Sequence, residues 1–440
     1  MGWYMRKLPT ITPSTRKLIW ASVVGNALEL YDYSLYGYFA AILASQFFPS
    51  EDPVSSLLAT YGVFASGFIL RPLGGIFFGN IGDRFGRKVA LQISILLMAL
   101  PTFCIGCLPN YSQVGLLAPI LLTFLRLLQG VSVGGELVGS YAFLSEHAPA
   151  NQKGFMGAWN LVGCFGGKLL GTVVSGGLSF LMAPALLQSY GWRIPFLSGI
   201  IFVLLGFYIR KQITETPIFK KMAAEKTTSC KPVREALTEA PGQILRSAGA
   251  GIINTTSNYV LFIFFPVFLV TQFKLSYAQA MISNFLSLLL CLFLLPLAGH
   301  LSDLFGRRIV QLAGIFALIA LIYPAFIAIS WNIFPITCLA QMTLAICYAL
   351  LYGPFPAFLS ELFPDRIRYT GSAIGYNLTV ALFGGLTPLI ATWLIKMFES
   401  PFAPAVWVIV SGLVSLITIY FAEETRITVR NQSQSPLTTA

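Results

Sequence analysis

Six ionisable side chains sit inside apolar stretches of this 440-residue chain: Glu29, Asp32, Arg71, Arg126, Glu136 and Lys168. Burying such a group in hydrocarbon costs at least about 2.5–3.5 kcal/mol, so each must face a cavity or a partner. Glu29 and Asp32 are three residues apart, which puts them on one face of a helix. Two carboxylates held together in a weakly solvated site repel, and one of them tends to keep a proton. Those are the means of a proton carrier, with Glu136 as a third acid. Arg71, Lys168 and Arg126 can pair with these acids or bind a charged substrate. Tyr33, next to Asp32, is a candidate for the wall of the same cavity, as are Tyr31 and Tyr36. The competing reading is a static cluster of salt bridges that orients helices.

A second set of charges has a mechanical task. Residues 79–88 read GNIGDRFGRK and residues 299–308 read GHLSDLFGRR. FLSEHAP at 143–149 likewise echoes as FLSELFP at 358–364, so the two repeats are offset by 220 and 215 residues, half of the chain. Gly79, Gly82 and Gly86 suit a tight turn between adjacent helices. Asp83 and Asp303 place a carboxylate at a helix end beside Arg84, Arg87, Lys88, Arg307 and Arg308. Glu146 and Glu361 end two further helices on the same side. Opposite charges there can latch one face of the molecule and release it when two halves rock. A purely topological role for the basic residues is the alternative.

The elements that must hold these groups follow from composition. The chain is 56% hydrophobic and 10% charged, with a mean hydropathy of +0.75. Soluble domains carry roughly 25% charged residues, so the bilayer must be the solvent for most of this surface. Twelve apolar stretches approach the roughly 20 residues that cross a hydrocarbon core. They fall at 18–43, 57–80, 89–109, 115–145, 154–181 and 193–210, then at 246–271, 277–301, 309–330, 333–359, 370–396 and 402–422. Barrel strands would alternate and be about half as long, which excludes a closed barrel. The fold expected is an all-α membrane protein of twelve transmembrane helices in two pseudo-symmetric six-helix bundles. Its parts are a first bundle at 1–210, a linker at 211–245 that holds Cys230, a second bundle at 246–424 and a short, polar, disordered tail at 425–440. No cleavable signal peptide is expected, because the basic N-terminus runs into a full-length span.

The net charge of +11 invites a nucleic-acid reading, and placement removes it. With the N-terminus inside, cytoplasmic segments hold 22 of the 28 Lys and Arg, eight of them between helices 6 and 7 (210–246), and outer segments hold only Arg193, Lys274 and Lys396. That is the positive-inside bias, with both termini and the linker cytoplasmic. The basic linker can also lie against anionic lipid.

Depth can be counted at about 1.5 Å per helical residue from the cytoplasmic ends. Asp32 then lies about 21 Å deep, Glu29 about 16 Å, Arg71 about 18 Å, Glu136 about 15 Å and Lys168 about 21 Å. Five charges from helices 1, 2, 4 and 5 are expected at one level near the midplane, with Arg126 higher at about 30 Å. Cys104 and Cys107 sit in an apolar span without a carboxylate or His and read as small core residues. His147 and His300 lie at cytoplasmic helix ends, where a proton-relay role competes with a bland one. No nucleophile–base constellation, phosphate loop or metal-ligand set appears, so no enzyme, cofactor or metal is expected. The GG and GxxxG patterns read as helix packing.

GNIGDRFGRK resembles the signature of the major facilitator superfamily, and GHLSDLFGRR repeats it in the second half. More narrowly, GNALELYDYSLYGY (25–38), RPLGG (71–75), RLLQGVSVGGE (126–136), GWRIPF (191–196) and TETP (214–217) resemble the metabolite:proton symporter family. PTFCIGCLPNY (101–111), KGFMGAW (153–159) and IRYTGSA (367–373) look most like its bacterial proline/betaine transporters. The resemblance implies an alternating-access carrier that takes up a small polar metabolite with a proton across a bacterial inner membrane. It implies a zwitterionic amino acid or betaine, or an organic acid, as substrate. The expected unit is a monomer whose partners are substrate, protons and membrane lipids. Three departures stand out. Helix 1 reads ELYDY where the family usually has Trp-Phe after the Glu. Lys168 stands where many relatives carry a neutral residue. No counterpart of the long C-terminal coiled coil of some osmosensory relatives is expected from this sequence, and osmosensing is not expected with it. An efflux pump for amphipathic compounds, or a non-transporting sensor on a carrier scaffold, are the other readings.

Overall fold

The computed structural model describes residues 13–211, 214–225, 227–229 and 231–425. The basic N-terminal arm, Cys230 and the tail expected to be disordered lie outside the described residues. Among the described residues there are helices and no strands. Nine helical stretches among them are long and apolar enough to cross a membrane. In chain order these are helix 2 (Pro53–Phe85), helix 4 (Leu117–His147), helix 5 (Lys153–Leu181), helix 7 (Pro241–Phe273), helix 8 (Tyr277–Phe305), helix 9 (Arg307–Ser330), helix 10 (Phe334–Glu361), helix 11 (Arg368–Phe398) and helix 12 (Ala403–Tyr420). Helix 1 (Pro13–Tyr38, continued by Ala40–Phe47), helix 3 (Arg87–Cys107) and helix 6 (Arg193–Lys211) complete the twelve. Leu73, Phe77, Leu100, Phe180, Phe293, Phe316 and Leu339 project outward, as lipid-facing side chains do. The linker contains two short helices that its polar composition did not announce, Pro217–Ala224 and Pro232–Glu239.

The packing is a two-half bundle. Helix 1 packs on helix 5, helix 2 on helix 4 and helix 3 on helix 6; in the second half helix 8 packs on helix 10, helix 7 on helices 11 and 12, and helix 9 on helices 10 and 12. The halves meet chiefly along two seams, helix 5 against helix 8 and helix 2 against helix 11. Small residues permit the closest approaches. A Cβ at Gly130 or Gly134 of helix 4 would run into the main chain of helix 2 at Gly67 and Arg71. This is the small-residue contact that replaces hydrophobic drive between helices in lipid.

Several inner helices are interrupted. Helix 1 breaks at Phe39, helix 2 at Leu70 and helix 10 at Gly353–Pro354. Helices 7 and 11 each widen into a π turn, at Val260–Phe264 and Val380–Gly385. Proline explains the placement. Pro266 and Pro388 lack an amide hydrogen, and their rings crowd the carbonyls four residues back, Phe262 and Gly384. Both carbonyls lie in the π turns, where the wider ring makes room. Such turns bend a helix and recur at functional sites.

Candidate functional site

Between the halves lies a cavity lined by Glu29, Arg71, Leu137, Cys164 and Lys168 from the first half and by Asn254, Asn258, Tyr259, Tyr352 and Tyr376 from the second. The space left free in it is about 20 Å³, room for about one water, so side chains fill most of it. Four of the five breaks sit beside this cavity: Leu70 precedes Arg71, the first π turn follows Tyr259, the second begins at Val380, and Gly353 follows Tyr352.

Arg71 Nη2 lies 3.5 Å from Glu29 Oε1. Its Nε donates to Asn377 Oδ1 of helix 11 at 3.4 Å, and Asn377 Nδ2 donates to the Gly134 carbonyl at 2.5 Å. Phe68 and Tyr33 lie 5.4 and 5.9 Å from the guanidinium. One charged pair thus spans helices 1 and 2 and reaches into the second half. Lys168 donates to Asn258 Oδ1 on helix 7 and lies over the Phe165 ring at 4.1 Å.

The expected grouping is only partly present. Glu29 and Asp32 share helix 1, yet each faces its own arginine. Asp32 Oδ2 accepts from Gln129 Nε2 at 2.7 Å and lies 3.6 Å from Arg126 Nη1, which also donates to Gln129 Oε1 at 2.7 Å. Rings of Tyr33, Tyr36 and Phe64 surround the Arg126 guanidinium at 4.6, 4.5 and 5.4 Å. Arg126, counted to a higher level than the acids, nevertheless meets Asp32. Glu136 accepts from Ser94 Oγ of helix 3 at 2.5 Å. Asp32, Arg126 and Glu136 are buried within the first half, behind the cavity wall. Tyr31 and Tyr36 also turn away: their hydroxyls donate to the Pro195 carbonyl at 3.3 Å and the Thr60 carbonyl at 3.2 Å. His147 Nδ1 contacts the Phe143 carbonyl of its own helix at 2.9 Å.

Both ends of the cavity are closed. Toward the face that carries the two hairpins, Tyr141, Tyr352 and Tyr376 form a hydroxyl chain with 3.1 Å links. Toward the opposite face, Asn284 Nδ2 donates to Tyr38 Oη at 3.1 Å and Tyr277 Oη donates to the Tyr38 carbonyl at 3.1 Å, joining helices 8 and 1. Phe64 and Phe68 press on Tyr259 with centroids 6.1 and 5.3 Å apart. At the rim Lys396 and Asp52 pair at 3.4 Å. Hydrogen bonds from Ser55 and the Val54 amide hold the exposed Asp52 carboxyl below its ordinary range, so it stays charged. The molecule is occluded.

On the hairpin face, each aspartate reaches into the other half. Asp83 Oδ2 accepts from the Thr370 amide at 2.9 Å and from Thr370 Oγ1 at 2.6 Å. Asp303 accepts from the Gly154 and Phe155 amides at 2.9 and 2.8 Å. Both carboxylates thus sit at a helix N-terminus, where unpaired amides and the helix dipole favour an anion. Arg87 holds Asp83 at 2.9 Å and Glu146 at 3.2 Å, and Arg307 holds Asp303 at 2.6 Å and Glu361 at 3.2 Å. Arg368 of helix 11 approaches Glu146 at 3.6 Å. Other contacts engage the remaining basic residues of the repeat. Arg84 lies over Phe85 and Arg308 over Tyr420. Lys88 and Arg308 present their backbone amides to Glu215 and Glu424, at 3.0 Å each.

The tight turn also differs from expectation. Among the described glycines of the two hairpins, only Gly86 and its counterpart Gly306 adopt positive φ, 111° and 104°. Gly79 and Gly82 are helical and leave room for Thr370 and Tyr369 of helix 11.

Two residue pairs complete the latch and were not singled out for it. Glu215 caps the Arg87 and Lys88 amides, while Thr216 Oγ1 donates to Glu146 at 2.7 Å. Glu424 and Thr425 do the same for Arg307, Arg308 and Glu361. The signal was present as a repeated Glu-Thr after helices 6 and 12. Asn254, Asn258 and Asn377 were missed because an amide in a span carries no charge to flag it.

Residues 17–243 match the family described as Sugar (and other) transporter, and residues 247–439 match Major Facilitator Superfamily. The chain is 35% identical over 422 residues to the glycine betaine/proline/ectoine/pipecolic acid transporter OusA of Dickeya dadantii, covering 93% of this chain and 83% of that one. It is also 35% identical to the proline/betaine transporter of Escherichia coli strain K12, with 93% and 84% covered. A putative proline/betaine transporter of Staphylococcus aureus is 32% identical, with 92% and 88% covered. Among solved structures, the proton:xylose symporter XylE bound to 6-bromo-6-deoxy-D-glucose superposes with a TM-score of 0.75 at 19% identity, over 92% of this chain and 94% of that one. That likeness shows the fold. The chain belongs to the major facilitator superfamily, among relatives of the proline/betaine type, and is a secondary transporter rather than an enzyme.

Proposed function

We propose that this protein takes up a small polar metabolite, a zwitterionic amino acid or betaine or an organic acid, together with a proton across a bacterial inner membrane. The relatives named above support that substrate range. The observation that carries the reading is the Glu29–Arg71–Asn377 bridge at the edge of a cavity closed at both ends: a charged contact between halves that a substrate can break and remake. Arg71, Lys168, Arg126 and Tyr33 are its substrate or counter-charge groups. Glu29, Asp32 and Glu136 are its proton carriers. Neutralising Asp32 releases Arg126 and Gln129, which changes the packing of helices 1 and 4 and so biases which side opens.

The halves are 1–210 and 246–424, joined by the linker at 211–245 and followed by the tail at 425–440. The hairpin face, both termini and the linker are cytoplasmic, by the bias of basic residues. The Asp83 and Asp303 contacts, with Arg87, Glu146, Arg307 and Glu361, form the cytoplasmic gate. Arg84, Lys88 and Arg308 support it as topological charge. The working unit is a monomer in contact with membrane lipids.

The test is uptake of labelled proline, glycine betaine and small organic acids by proteoliposomes under an inward proton gradient. Accumulation of at least one, abolished by a protonophore, is expected. Accumulation indifferent to the gradient overturns proton coupling. Undiminished, protonophore-sensitive accumulation in a Glu29→Gln, Asp32→Asn double variant overturns the carrier assignment.

A further inference from the structure

The cavity wall carries one positive charge more than it balances. Among the described residues lining it, the acids and bases with full charges are Glu29, Arg71 and Lys168. Glu29 and Arg71 answer each other at 3.5 Å. Lys168 is 1% exposed and forms no ion pair among the described residues. Its ammonium donates to Asn258 Oδ1 and lies 4.1 and 5.5 Å from the centres of the Phe165 and Phe262 rings. An amide oxygen and two ring faces replace only part of the water that a buried ammonium loses. Behind the wall, Asp32 is engaged by Arg126 and Gln129, and Glu136 accepts from Ser94 on helix 3.

We infer that Lys168 is the receptor for a substrate carboxylate, and that the cavity is built for a small organic monoanion in preference to a zwitterion. This rests on the transport reading above and deepens it. A carboxylate entering the cavity takes the place of Asn258 Oδ1 on the ammonium and supplies the missing charge in a charge-assisted hydrogen bond. The rest of such a substrate meets Tyr259, Tyr352, Tyr376 and Leu137, a wall of rings, hydroxyls and one aliphatic side chain. A zwitterion brings an ammonium as well, and that group needs an acid. Glu29 is the one lining acid among the described residues, and Arg71 already faces it. The exchange at Lys168 also has a consequence for the halves. Asn258 lies just before the π turn at Val260–Phe264, so the lysine's change of partner breaks a contact between helix 5 and helix 7 at a bend.

Two isosteric pairs test this on the purified, full-length protein in detergent at neutral pH. Glycine betaine is set against 3,3-dimethylbutanoate, and proline against tetrahydrofuran-2-carboxylate; in each pair the shape is shared and only the cationic centre is lost. Calorimetric titration should show each anion binding at least tenfold more tightly than its zwitterion. Lys168→Gln should erase or reverse that ratio, while Lys168→Arg, which keeps the charge, should retain it. The melting temperature of both variants without ligand reports whether they fold, and the ratio in Lys168→Arg remains readable if Lys168→Gln does not. Preference for the zwitterions, an unchanged ratio in folded Lys168→Gln, or no saturable binding of either anion overturns the proposal. None of these outcomes bears on proton coupling, which the protonophore experiment decides separately.

Discussion

Asp32 shows how much a single side chain's role depends on its neighbours. On its own helix it stands one turn from Glu29 and would compete with it for a proton. In the fold its oxygen faces Arg126 and Gln129, while Glu29 faces Arg71. The two acids are therefore separable by mutation. Asp32→Asn removes a charge that Arg126 needs, and leaving one partner of a buried pair alone costs about 3–5 kcal/mol. The aromatic cage of Tyr33, Tyr36 and Phe64 offsets some of that, at about 2 kcal/mol for a desolvated cation–ring contact. Asp32→Asn should fold with a lowered melting temperature, lose gradient-driven accumulation and keep exchange of substrate across the membrane. Counterflow in proteoliposomes measures the exchange; full accumulation by the variant contradicts the assignment. Arg71→Lys should weaken substrate binding at least tenfold, because a point charge does not reproduce a guanidinium that contacts Glu29 and Asn377 together.

At the scale of elements, the hairpins and the helix ends they cap act as units. Asp83 and Asp303 each accept two hydrogen bonds from the other half. Hydrogen bonds to a charged group contribute about 1.5–3 kcal/mol apiece, so each latch favours the closed hairpin face by a few such increments. Asp83→Asn or Asp303→Asn should cut transport several-fold while changing equilibrium substrate affinity by less than tenfold, because neither aspartate touches the cavity. Parallel binding and uptake measurements separate the two effects; loss of binding with normal turnover of the bound fraction contradicts a latch. Glu215→Gln and Glu424→Gln extend the same prediction to residues that cap the amides after Gly86 and Gly306. Each should weaken uptake in the same direction and by less than the aspartate changes, since the Arg87 and Arg307 ion pairs remain. Gly130→Leu belongs to a different element, the helix 2–helix 4 crossing. It should reduce folded yield, because overpacking a well-packed core costs about 1–3 kcal/mol and here the added side chain meets main chain, which cannot give way.

For the whole molecule, contacts closing the cavity exist on both faces. The tyrosine chain and the aspartate latches close the hairpin side, and Tyr38, Tyr277 and Asn284 close the other. Opening either side requires breaking one set while keeping the other, which is alternating access stated as contacts. Orientation is testable independently of mechanism. Cys230 in the linker should react with an impermeant thiol reagent in inside-out vesicles and resist it in intact cells; the reverse pattern sinks the cytoplasmic assignment.

Twelve spans, the two-half plan and the repeated hairpins were legible in the chain because hydropathy and duplication are local properties, and lipid leaves few alternatives to helix. The identities of the buried charges were legible for the same reason: a charge in an apolar run stands out. Their partners were not. Depth along a helix orders residues by level and says nothing of azimuth or tilt, so Arg126 was placed above the acid it meets and Lys168 was not placed beside Asn258. The spacing of the hairpin glycines suggests one turn, although of the three only Gly86 has the backbone geometry of one and the others mark where helix 11 lies close. The π turns, the amides of Asn254, Asn258 and Asn377, and the Glu-Thr caps depend on which helix ends face each other. That is set by packing between elements far apart in the chain, and only the tertiary structure decides it.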